Sequence, residues 1–126
     1  MMKGLSGIIV VFMGLAPALQ ADGHEDLTKT FAYCAGRLSA EVEHAWLMGT
    51  GNVDRLERLR DGTLALLASV VDDPDTGRAL ERRILAKHAH ADLLRDAAFH
   101  PDPEVARRAG QMASLRIGAC SSFLLG

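Results

Sequence analysis

The stretch LTKTFAYCAGRLSAEVEHA, residues 27–45, decides the fold. Its members Leu27, Phe31, Cys34, Leu38, Val42 and Ala45 recur at intervals of four, three, four, four and three, which lays all six along one stripe of an α-helix. Working outward, three further segments show helical spacing: Leu56, Leu59, Thr63, Leu66, Leu67 and Val70; then Leu80, Ile84, Ala91, Leu94 and Ala98; then Val105, Ala109, Met112, Ala119 and Phe123. Three punctuation points separate the four segments. They are Gly49-Thr50-Gly51-Asn52, Asp72-Asp73-Pro74-Asp75, and Phe99-His100-Pro101-Asp102-Pro103, where Asp102 can cap a helix opening with Pro103 and Glu104. Four amphipathic helices joined by short loops predict an all-α fold, an up-down-up-down four-helix bundle.

Composition agrees with this. The chain has 126 residues, 48 % hydrophobic but only 5 % aromatic, which favours closely packed helices over a sheet and provides apolar area for one core, not two. The beginning reads differently. Met1-Met2-Lys3 is a short positive start, Ile8 to Ala18 is apolar apart from Gly14 and Pro17, and small residues follow before Asp22-Gly23-His24-Glu25-Asp26 turns polar. That is the pattern of a secretory signal peptide over residues 1–21, with cleavage expected after Ala21 in preference to Ala18, leaving a single domain over 22–126. The apolar run is short of the roughly 20 residues a membrane span requires, so no transmembrane segment is expected after cleavage. Losing Lys3 with the leader leaves 13 basic against 16 acidic residues. The basic residues are interleaved with acidic ones, and aromatic stacking platforms are absent, so nucleic acid is not expected as a partner.

A periplasmic or secreted chain with only two cysteines, Cys34 and Cys120, is expected to join them in a disulfide. In an up-down-up-down bundle the early part of the first helix lies beside the late part of the fourth, as this pairing demands. Closing so long a loop contributes about 4 to 5 kcal/mol by the chain-entropy model. The bridge sets a register in which Arg116 lies across from Leu38 and within a turn of Arg37 and Glu41. A partly buried ion pair between Glu41 and Arg116, with Arg37 beside it, is the expectation.

Constellations that carry chemistry are sparse. Neither cysteine stands in the Cys-x-x-Cys-His arrangement of covalent haem, and the fourth segment offers Met112 but no histidine as an axial ligand, so no cofactor is expected. Glu41 and His44 have the Glu-x-x-His spacing of di-iron bundles, but a second copy is missing. His88 and Asp92 share a helix face and are weak candidates for a divalent metal; His90 points the other way. No serine sits in a Gly-x-Ser-x-Gly turn, and a disulfide leaves no thiolate, so an enzyme is not expected.

Two surfaces remain. Tyr33, Arg37, Glu41 and His44 line one flank of the first helix and form a candidate small-ligand flank. Leu85, Ala89 and Leu93 form a second apolar stripe on the third helix, beyond what a simple bundle buries. The expected function is therefore a non-enzymatic interaction module that uses this stripe to form a homodimer or to contact another envelope protein, the alternative being a ligand- or metal-binding bundle.

Overall fold

The protein, seen in a computed structural model that describes residues 17–125, consists of helices α1 (Pro17–Met48), α2 (Val53–Val70), α3 (Thr76–Phe99) and α4 (Pro103–Leu125), with a short 3₁₀ turn at Asp73–Asp75. Residues 1–16 of the expected leader lie outside the described residues, and its remainder continues into α1. No helix among the described residues is long and apolar enough to cross a membrane.

The chain breaks where the sequence punctuates it. Gly49 and Gly51 take positive φ of 63° and 81°, which side chains resist, and so turn the chain out of α1. Asn52 then caps α2, its Oδ1 accepting from the Arg55 N–H at 3.1 Å. Asp102 caps α4 in the same way, accepting from the Glu104 N–H at 2.9 Å, with Pro103 at the first helical position. Asp73-Pro74-Asp75 winds the turn into α3.

The helices form a four-helix bundle in which α1 is the most enclosed member, for it packs against α2, α3 and α4 alike. Its residues Ala32, Ala35, Leu38 and Val42 are wholly buried. Helix α2 returns antiparallel to α1 and brings Leu67 onto Phe31 and Ala32, where Ala79 of α3 completes the cluster. Helix α3 runs parallel to α1 in close contact, Gly36 lying against Arg83 and Ala86, and Glu41 against His90. A Cβ at Gly36 would fall well inside van der Waals contact of the Arg83 carbonyl oxygen and 3.0 Å from both the Ala86 Cβ and the Lys87 nitrogen. Helix α4 starts antiparallel on α3, with Gly110 against Ala97, and leans at its far end towards α1 and α2. There the Cys34–Cys120 disulfide, with its Cα atoms 5.4 Å apart, joins α1 to α4.

Two of the four buried faces are rotated from the expectation. The apolar stripes of α1 and α2 face inward as read, Leu27 apart, which is exposed. In α3, however, Leu80 and Ile84 are 50 % and 47 % exposed and Ala91 and Ala98 are exposed, while Ala79, Ala86 and His90 are buried. In α4, Ala109, Ala113 and Cys120 are buried, whereas Met112 and Phe123 are exposed. Small residues form these seams because helix axes approach most closely where side chains are small, and the larger apolar residues then stand to either side. A consequence is that α2 and α3, though consecutive, make no close backbone approach: their Cα atoms stay more than 8 Å apart throughout the described residues.

Candidate functional site

The structure disperses the candidate ligand flank of α1. Arg37 stacks on its neighbour Tyr33, the guanidinium carbon 5.8 Å from the ring centroid. Burial lowers the Arg37 pKa from its ordinary value, the positive charge of Arg116 lowers it further, and Tyr33 opposes both. Arg116 therefore faces Arg37, a like charge, and the expected pair with Glu41 is not among the ion pairs of the described residues. Glu41 turns instead to α3, where its Oε1 accepts from His90 Nε2 at 2.9 Å. The physical reason is the close α1–α3 approach, which brings a buried donor to Glu41 from a helix whose register the disulfide does not reveal. His44 lies apart from these, in the wall of a cavity at the common end of α1 and α3 with Leu47, Met48, Leu94 and Phe99.

His90 is, among the described residues, the one histidine whose side chain is wholly enclosed. A carboxylate only accepts, so Nε2 carries the hydrogen of this bond, and Nδ1 is left buried without a hydrogen-bond partner. The sequence set His90 beside the apolar stripe of the third helix, on the flank opposite His88. Its position seven and eleven residues beyond Arg83 and Ala79 marks it as part of the seam instead.

The weak metal candidates do not assemble. His88 is exposed, Asp92 is held by Arg95 at 3.1 Å, and no group of three metal-ligating side chains exists among the described residues.

The second stripe of α3 stands largely open. Leu85 is 60 % exposed and Ala89 is exposed, while Leu93 is half-buried towards the seam. Residues 78, 82, 85, 89, 92 and 96 follow one another at intervals of four, three, four, three and four, so they share this outer face. They read Arg78, Arg82, Leu85, Ala89, Asp92 and Asp96: cations towards the N-terminal end, apolar residues in the middle, anions towards the C-terminal end. Arg78 and Asp96 form no ion pair among the described residues, and Arg82 reaches Glu25 only at 4.0 Å. Leu85 and Ala89 made the apolar middle of this face legible in the sequence, whereas its charge order, also at heptad spacing, was not read there.

A second feature, unforeseen in the sequence, is the trough that the separation of α2 and α3 opens over α1. One cavity of 390 Å³ has Gly36 and Ser39 as its floor and Arg60, Arg83 and Lys87 in its walls. A second, of 320 Å³, continues between Leu67, Ala68, Val71 and Ala79. Lys87 pairs with Glu43 at 2.6 Å.

No family model, curated protein or solved structure matches this chain.

Proposed function

We propose that this protein is a non-enzymatic docking module, periplasmic or secreted, that pairs with a second copy of itself through the outer face of α3. The charge order of that face carries the reading. An antiparallel pairing of two α3 helices centred near residue 87 sets Arg78 of each copy across from Asp96 of the other, Arg82 across from Asp92, and Leu85 across from Ala89. Such self-complementarity is what a two-fold interface requires, since each residue must meet its partner in both directions. Leu85 supplies apolar area that is otherwise left in water, and the small Ala89 opposite lets two helices approach. The Asp92–Arg95 contact is between exposed side chains and costs little to exchange. The Cys34–Cys120 bridge fits an oxidising compartment, in keeping with the leader read from the sequence.

The test is sedimentation equilibrium across a wide concentration range. The expected result is a mass that rises towards twice the monomer value, an Asp96→Arg variant that stays monomeric, and recovery of association in Arg78→Asp/Asp96→Arg. A mass that stays at one chain throughout refutes self-pairing, and the α3 face would then remain for a different envelope protein.

A further inference from the structure

The trough between α2 and α3 sets an anomaly beside an opportunity. Two consecutive helices ordinarily close on one another, yet here Leu64 of α2 and Leu80 and Ile84 of α3 face an open cleft, and Leu80 and Ile84 are half exposed. Exposed apolar residues facing each other across a trough are covered more readily by an inserted ligand than by a flat protein surface. The two cavities share Leu64, Leu80 and Arg83 in their walls, so they adjoin as two halves of the trough.

The two halves differ in chemistry. The half beyond Leu80, towards Val71, is walled mostly by apolar side chains, with Thr76 at its margin. The other half gathers Arg60, Arg83 and Lys87 against the single carboxylate of Glu43. Glu43 is occupied by Lys87, and Arg60 Nε reaches the exposed Asp61 at 3.1 Å. Arg83, at the junction of the halves, makes no ion pair among the described residues, and its Nε is buried without a hydrogen-bond partner. A guanidinium kept this way, in a chain of net charge −2, is an electrostatic demand left unmet by the protein itself.

We propose that the α2–α3 trough binds a single-chain anionic amphiphile, its head group on Arg60, Arg83 and Lys87 and its chain along Leu64, Leu80 and Val71. The polar groups at one end fix the orientation of a linear ligand, and the apolar end accepts its tail. Carboxylate and phosphate heads suit the fork of Arg83 equally. The site is separate from the outer face of α3 and stands whether or not that face self-associates.

Titration calorimetry on the purified protein, with probes below their micellar concentrations, decides the matter. Laurate and dodecyl phosphate supply the two head groups, and dodecanol supplies the same chain without charge. Saturable binding of one anion per chain is expected, at least tenfold tighter than dodecanol. Preference for the phosphate identifies a phospholipid-derived ligand, and preference for laurate a free fatty acid. Arg83→Gln is expected to weaken anion binding at least tenfold without changing dodecanol binding, and Leu85→Asp to leave both unchanged. The comparison of laurate with dodecanol on the unaltered protein needs no variant to fold. No saturable binding of either anion, or equal affinity for dodecanol, overturns the proposal.

Discussion

Replacing Gly36 with alanine should destabilise this protein, although helix propensity alone says the opposite. In a helix interior, alanine is favoured over glycine by about 0.8 to 1 kcal/mol. Gly36, however, sits in the α1–α3 seam, where a methyl group would press on the Arg83 carbonyl oxygen and meet Ala86 and Lys87 at 3.0 Å. Two of these three atoms belong to backbone, so relief requires α3 to move away from α1, loosening the burial of Ala79, Ala86 and His90 together. Overpacking of that kind costs about 1 to 3 kcal/mol and at times more, which exceeds the propensity gain. The internal control is Gly118 of α4, whose added methyl would touch nothing within 4 Å. Gly118→Ala should therefore gain up to about 1 kcal/mol. The two variants should straddle the parent in urea unfolding followed by circular dichroism, separated at similar slope by the overpacking cost alone, about 1 to 3 kcal/mol, since the propensity gain is common to both. If Gly36→Ala is as stable as Gly118→Ala, the close α1–α3 approach is wrong, and with it the reason given for the rotation of α3.

Reduction of Cys34–Cys120, whose ends are 86 residues apart, should lower stability by about 4 to 5 kcal/mol, seen as a shifted urea midpoint with reductant present. Hydrogen exchange should then quicken first in α4, whose contact with α1 is confined largely to that end. Glu41→Ala should cost about 1 to 3 kcal/mol by leaving His90 Nε2 buried and unpaired. His90→Leu should cost less in the same urea unfolding, because it removes both buried nitrogens, including the already unpaired Nδ1. Asp102→Ala removes the α4 cap and should lower stability by about 1 kcal/mol by the same measurement.

Helix boundaries and the disulfide were legible in the sequence because their causes are local or combinatorial. Gly49, Gly51, Asn52 and Asp102 act on their own neighbours, and two cysteines permit one pairing. The rotation of α3 and α4 was not legible. Counting apolar residues favours the large side chains of Leu80, Ile84, Met112 and Phe123, whereas helices settle where Ala79, Ala86, Ala109 and Ala113 let them approach. The small run Ala35-Gly36 already marked where α1 admits a close neighbour, but nothing local says which helix takes the place. For the same reason Glu41 could be matched with Arg116 through the disulfide register, while its partner His90 arrives from 49 residues away on a third helix. The α2–α3 trough is a consequence of that same choice, and so was invisible until the choice was known.

The pairing of α1 with α3 also governs the order in which the chain can acquire structure. Gly36 waits for Ala86, Glu41 for His90 and Cys34 for Cys120, so the most deeply enclosed helix is the earliest made and the last to be sheltered. At ordinary rates of synthesis about 50 residues take some 3 to 10 s, an interval in which Phe31, Leu38 and Val42 have only α2 to lean on. During synthesis the chain therefore presents a bare apolar helix for seconds. A holding chaperone would find its target there, and the covalent lock closes only once the final turns of α4 have emerged.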